Sequence, residues 1–268
     1  MTNIWKSIRH EMASAAATGL RKLPGRTERD LTSGPIRLFW WTDHKNFGDV
    51  LSPVIVRHLT GREVEWSSLA ECDLCAIGSI YGWIRVNGRH YFRDVHFWGS
   101  GIKKPAEAVG PVTHMHHHLV RGPLTALTAD DDTLPTGDPG LLAPEAVGVA
   151  QAKDAKGIGI IPHRIEWNRT DYIEALKALP GVRLIDYNSE DCTGIVEEMA
   201  ACERIYSSSL HGLVVADALG IPNYRFVGRK FAGNGHHFKY FDYALSVGRD
   251  VSRPVDVFEH PKTGTVRP

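Results

Sequence analysis

Short apolar runs alternate with segments of helical period along this chain, most regularly in its second half. Gly157–Ile161, Val182–Asp186, Arg204–Ser208 and Asn223–Val227 read as strands. Between them, Thr170–Leu179 reads as a helix capped by Thr170, Ser189–Cys202 as a helix capped by Ser189, and Leu210–Leu219 as a helix closed by Gly220. Strict strand–helix alternation with short loops predicts a parallel sheet. In the first half, Ile36–Trp41 is an apolar and aromatic run of strand type that ends in the polar turn Thr42–Gly48. A helix is predicted from Asp49, with Pro53 tolerated in its first turn, Val54, Ile55, His58 and Leu59 on one face, and Gly61 as its stop. Glu63–Trp66, Leu74–Ile77, Val95–Trp98 and His118–Arg121 are further strand candidates.

The layout that follows is an α/β chain with a cleft between two halves. Residues 1–35 form an N-terminal helix and a linker rich in Pro, Gly and charge from Leu23 to Pro35; residues 36–145 form one α/β lobe; residues 146–268 form a Rossmann-like lobe. The division falls around Ala143 to Lys156. In open parallel sheets ligands sit beyond the carboxyl ends of the strands, so the loops that follow strands are the ones to search.

Composition narrows the function classes. With 31 Lys plus Arg against 31 Asp plus Glu, the chain lacks the global basic field of a non-specific nucleic-acid binder, and no nucleic-acid partner is expected. Four cysteines in 268 residues do not make a disulfide framework, and they suggest a reducing cytoplasm. Cys72 and Cys75 have CxxC spacing without a second pair, and read as small apolar residues entering a strand. No apolar run approaches the ~20 residues that span a bilayer. Ile4, Trp5, Ile8, Met12 and Leu20 lie among Lys6, Arg9, Arg21 and Lys22, so residues 1–22 suit either an amphipathic helix at the inner face of a membrane or a helix packed on its own protein.

The strand-to-helix junction Ser207-Ser-Ser-Leu-His-Gly-Leu213 carries the main candidate chemistry. A helix start presents free N–H groups to anions; Ser208 or Ser209 can cap it, and His211 in the first turn can exchange protons with whatever binds there. Asn46-Phe-Gly-Asp49 occupies the equivalent junction of the first half, where Asn46 and Asp49 suit sugar hydroxyls or a cap. Gly99-Ser100-Gly101 is a small loop after a strand that matches neither GxGxxG nor a P-loop. Arg121, His163 and Arg164 also follow strands, and Lys230, Lys239 and Arg249 add positive charge. Asp138, in Gly137-Asp-Pro-Gly140, reads as organising its own turn. His114, His116, His117 and His118 invite a metal reading, but strand alternation sends His117 to the opposite face from His116 and His118, and no metal is expected.

Together these segments resemble the polysaccharide pyruvyl transferase family, in particular the bacterial exopolysaccharide ketalases. The matching pieces are Asn46-Phe-Gly-Asp49, Gly99-Ser-Gly101, Arg121-Gly with Thr125, Gly137-Asp-Pro-Gly-Leu-Leu142, Ile161-Pro-His163, Lys239-Tyr-Phe-Asp-Tyr243 and the run Ser207–Pro222, which is the specific one. The resemblance implies a GT-B-like fold of two Rossmann-type lobes, phosphoenolpyruvate as donor substrate with no cofactor, and a pyruvate ketal formed on a sugar of an exopolysaccharide or its repeat-unit precursor, lipid-linked or free. Under it, His211 takes the acid/base role, while Arg121, His163, Arg164, Ser208, Ser209 and Lys239 hold the donor. Asn46, Asp49, Gly99, Ser100 and Gly101 line the acceptor side. Many members have an Arg two residues before the motif His, where this chain has Ser209, so that anion contact is either missing or supplied from elsewhere, with Arg164 and Lys230 as candidates. A nucleotide-sugar glycosyltransferase of the same architecture and a non-catalytic partner of polysaccharide assembly are the alternative readings.

Overall fold

A computed structural model describes residues 31–86, 94–104, 115–129, 131–227, 237–249, 254–255 and 257–258. Residues 1–30, with the proposed membrane-facing helix and most of the linker, lie outside the described residues, as do His114 and Lys230.

The chain is a mixed α/β protein with two all-parallel sheets. The first contains β1 (Ile36–Phe39), β2 (Val64–Trp66), β3 (Leu74–Cys75), β4 (Val95–Ser100) and β5 (Met115–Val120), in the order β2-β1-β3-β4-β5. The second contains β6 (Ile158–Ile161), β7 (Val182–Leu184), β8 (Arg204–Ser207) and β9 (Asn223–Arg225), in the order β7-β6-β8-β9. Each sheet reverses its direction of winding beside its first strand, between β1 and β3 and between β6 and β8. Rossmann-like sheets hold ligands at such switch points, outside the carboxyl ends of the strands.

Helices follow the strands where the period predicts them, with shifted ends. Helix α1 (Phe47–Thr60) begins two residues before Asp49, because Asn46 is extended and its side chain accepts from Gly48 N–H, and it stops at Gly61 with φ +65. Helix α2 (Tyr81–Val86) follows β3, and α3 (Pro123–Thr128) follows β5. A 3-10 turn (Pro139–Leu142) runs into α4 (Ala143–Val147), and a second one (Arg164–Asn168) precedes α5 (Thr170–Lys177). Thr170 is the first helical residue of α5 rather than its cap, which is Arg169. Helix α6 (Cys192–Ala200) is capped by Asp191, whose carboxylate accepts from Gly194 N–H at 2.9 Å, while Ser189 binds Asp191 N–H one turn earlier. Helix α7 (Leu210–Ala218) and the late α8 (Phe238–Ser246) complete the helices of the described residues. Strand β5 starts at Met115, ahead of the expected His118, and draws the histidines into the sheet. His116 and His118 stack on His96 on one face; His117 lies against Tyr81 and Phe97 on the other. Among the described residues no group of three or more His, Cys, Asp and Glu could hold a metal ion. Cys72 and Cys75 are buried free thiols, and no described helix is long and apolar enough to cross a membrane.

The two sheets share one apolar core. Phe47, Leu51 and Ile55 of α1 join Tyr187, Ile195, Val196 and Val215 from the second half in a single buried cluster. Phe47 N–H donates to Tyr187 C=O at 3.0 Å, with the two rings 4.6 Å apart. Helix α8 makes a second tie in the reverse direction. Its Tyr240 and Tyr243 pack on α7, while Asp242 reaches the first lobe. There the carboxylate takes Arg121 Nε at 3.1 Å and Nη2 at 3.0 Å, Thr125 N–H at 2.9 Å and Thr125 Oγ1 at 2.6 Å.

Breaking a buried ion pair by removing one partner leaves a charge without compensation and costs about 3–5 kcal/mol. Arg121→Met is therefore expected to lower the unfolding free energy by about that amount in urea titrations. Arg249→Met, which loses partly exposed bonds to Asp217 and Asn223, is expected to lower it by less than Arg121→Met does.

Candidate functional site

Carboxyl ends of both sheets converge on His211. The imidazole is the second residue of α7, which follows β8, and it lies against the first turn of α1, which follows β1. Contact there is close enough that a Cβ on Gly48 would stand 2.0 Å from His211 Nδ1, so only glycine fits. On the other edge of the ring, Nε2 faces Asp138 Oδ2 at 4.0 Å, and both atoms are buried. Asp138 caps the 3-10 turn by accepting from Gly140 N–H at 2.9 Å.

Around this pair sit groups whose proton affinities are strongly displaced. Burial, with Lys239 and Arg121 nearby, pushes His211 down to about 3, so its imidazole is neutral at physiological pH. Burial raises the Asp138 carboxyl to about 6 against the opposing pull of Gly140 N–H and Arg121. Asp49, whose carboxylate accepts from Asn46 Nδ2 at 2.5 Å, is likewise pushed up by burial to about 6, with Asn46, Lys239 and Arg164 pulling it down. Lys239 on α8 is pushed down to about 7 by burial, Arg121 and Lys103, with Asp49 opposing. Titratable groups displaced together at a junction of sheet ends mark a candidate site.

Asn46, Asp49, Arg164, Lys239 and His211 are thus gathered at one seam. Several other predicted site residues support the protein itself. Arg121 is fully buried and committed to Asp242, Ser79 Oγ and Ile102 C=O, and it therefore braces the site rather than clamping an anion directly. Gly101 lets that guanidinium lie flat, since a Cβ would stand 2.4 Å from its Cζ. Gly99, at φ +86, makes room for Pro139, where a Cβ would stand 2.0 Å from Cδ. Ser100 Oγ accepts from Ile80 and Tyr81 N–H and donates to Gly78 C=O, which anchors the start of α2. His163 caps the second 3-10 turn in a capping box with Glu166, and Ser208 Oγ joins the same knot by donating to Glu166 Oε2 and accepting from His163 N–H. Ser209 occupies the N-cap of α7 but makes no side-chain capping bond; Ser207 Oγ takes the Ser209 N–H instead.

Two further residues belong to the site. Asp138 does organise its turn, as the Asp-Pro-Gly pattern suggests, but that uses one oxygen and leaves the other directed at His211. Arg225 ends β9 and lies 3.9 Å above the Tyr240 ring, with Nη2 2.8 Å from His237 Nδ1. Nothing in the local sequence around Arg225 distinguishes it. Near the first switch point, Trp41 and Trp83 meet edge to face with centroids 4.9 Å apart, and Trp83 is 42% exposed.

No family model matches the chain. Over 138 residues, 48% of this chain, it is 34% identical to an uncharacterized protein of Acanthamoeba polyphaga mimivirus. The chain spans about half of that relative's length, 47%.

An imidazole with depressed proton affinity in the fold destabilises it in acid. Between pH 6.5, the unperturbed value, and about 3, the unfolded chain binds the proton that the folded chain refuses. Asp49 and Asp138, raised to about 6, act in the opposite sense over part of that window, so the His211 contribution is read as a difference: as pH drops, the wild type is expected to lose stability relative to His211→Asn. Parallel denaturant titrations of both proteins across the window check this.

Proposed function

We propose that this chain transfers the enolpyruvyl group of phosphoenolpyruvate to a sugar of an exopolysaccharide or its repeat-unit precursor and closes it into a pyruvate ketal on a GT-B-like scaffold. The observation that carries the reading is the seam beyond the carboxyl ends of the parallel sheets where Lys239 acts on both His211 and Asp49, with Arg164 near Asp49.

The reaction asks for three things. Two anionic ends of the donor need cations, C3 of the enol must gain a proton so that C2 becomes electrophilic, and each attacking sugar hydroxyl must lose one. Addition of one hydroxyl at C2 gives a phosphorylated hemiketal. Displacement of phosphate by the second closes the ring and releases inorganic phosphate. Arg164, Lys239 and Arg225 supply positive charge in place of the family arginine that is Ser209 here. His211, neutral before the donor arrives, takes the hydroxyl proton. Lys239, held near neutrality, is suited to give a proton and to bind phosphate or carboxylate when charged. Asn46 and Asp49 offer hydrogen bonds to hydroxyls, and the indoles of Trp41 and Trp83 offer apolar faces to a saccharide ring.

Release of inorganic phosphate from phosphoenolpyruvate, dependent on a saccharide acceptor, tests the reading directly. His211→Ala is expected to lower that rate by at least about a hundredfold with the circular dichroism spectrum unchanged. Turnover of a nucleotide sugar without phosphoenolpyruvate would replace the proposal with a glycosyltransferase. Absence of both activities over a broad acceptor panel would leave a binding partner of the polysaccharide machinery.

A further inference from the structure

The two nitrogens of the His211 ring lie in different surroundings, and Asp138 makes the difference. Nε2 is buried with no hydrogen-bond partner, and Asp138 Oδ2, also buried and without a partner, faces it at 4.0 Å. Neither side chain has room to turn away. Gly140 N–H holds the other carboxylate oxygen at 2.9 Å, and the Asp138 side chain is 0% exposed. The imidazole packs closely on Gly48, where a Cβ would reach within 2.0 Å of Nδ1, and Gly140 lies at ordinary contact range of its other edge, where a Cβ would stand 3.8 Å from Cδ2. The His211 side chain retains 11% exposure, to which Nε2 contributes essentially nothing, and Nδ1 borders the first turn of α1.

A carboxylate accepts hydrogen bonds and cannot donate them. The partner that satisfies Asp138 Oδ2 is therefore an N–H at Nε2, and a neutral imidazole that carries its proton there has a lone pair at Nδ1. We infer that Asp138 is a positioning residue that fixes His211 as the Nε2–H tautomer and so presents an unprotonated Nδ1, beside Gly48 and Asp49, to the hydroxyl that is to be deprotonated. The 4.0 Å gap is longer than a hydrogen bond, and catalytic contacts of this kind commonly tighten when substrate binds. In the base step, the sugar O–H bond breaks and its proton passes to Nδ1. The electron pair stays on the oxygen and forms the C2–O bond, the C2=C3 π pair having formed the new C3–H bond with the proton that C3 gains, and the doubly protonated ring is held by Asp138 until the proton leaves. The role assigned to Nδ1 rests on the proposed transfer reaction; the tautomer itself rests on geometry alone.

Long-range proton–nitrogen correlation spectra of the 15N-labelled full chain test the tautomer without any substrate, with the His211 signals assigned by their loss in His211→Asn. Above the pH at which Asp138 ionises, Nδ1 is expected at the shift of an unprotonated ring nitrogen and Nε2 at that of a protonated one. In Asp138→Asn, Gly140 N–H keeps the amide oxygen and the amide NH2 faces Nε2, so the two shifts are expected to exchange. With phosphoenolpyruvate and an acceptor, the same variant is expected to lose at least about a hundredfold in kcat with KM nearly unchanged. A wild-type spectrum protonated at Nδ1, or an exchange that does not occur in a folded Asp138→Asn, overturns the inference; the wild-type spectrum decides alone if the variant does not fold. Spectra as expected, with no phosphate released for any acceptor, uphold the positioning by Asp138 and remove pyruvyl transfer.

Discussion

A carboxylate with no exposed surface has to be surrounded by donors, and Asp242 meets that demand by drawing on two residues more than a hundred positions earlier in the chain. Arg121 and Thr125 satisfy it from the end of β5 and from α3, which fixes α8 to the first lobe while its tyrosines stay on α7 of the second. Gly122 permits the approach, since a Cβ there would fall 1.9 Å from the Asp242 carbonyl oxygen. Lys239 is one turn earlier on the same helix, so the clasp that holds α8 also sets the position of the amine at the seam.

Enclosure of this kind sets the chemistry of the groups nearby. Asp49 and Asp138 are held as weak acids, Lys239 as a weak base and His211 as a neutral ring, all by desolvation before any specific partner acts. With values of about 6, both carboxyls remain largely ionised at neutral pH and offset part of the positive charge of Lys239 and Arg164. Tight packing at Gly48 keeps the ring from rotating out of this field.

Serines and histidines with an anion-binding look are largely engaged in bonds within the protein. Ser207 turns back on Ser209, Ser208 and His163 close around Glu166, and Ser100 holds the start of α2. Their value to the site is that they hold the loops from β6, β8 and β4 in fixed shapes, so that His211 and Arg164 emerge in set directions. A strand end followed by a helix start leaves many N–H groups to satisfy, and short hydroxyl side chains do so locally.

Local period and punctuation determined much of this protein. The alternation of apolar strands with helical segments from Gly157 onward, and the stops at Gly61 and Gly220, are carried by neighbouring residues, because strand and helix periods and left-handed glycine turns are short-range properties. Selection of His211, Asn46 and Asp49 followed from the same source, since each lies where a strand ends and a helix begins. Cap positions were less legible: Asp191 takes the place expected of Ser189, because several residues in one loop can accept the same N–H groups and packing chooses among them. Only the tertiary structure decided that Arg121 answers Asp242, that Asp138 faces His211, and that Arg225 joins the seam. Those pairings link positions up to more than a hundred residues apart, and a buried charge finds its partner through the packing of sheets and helices, which no local window of sequence contains.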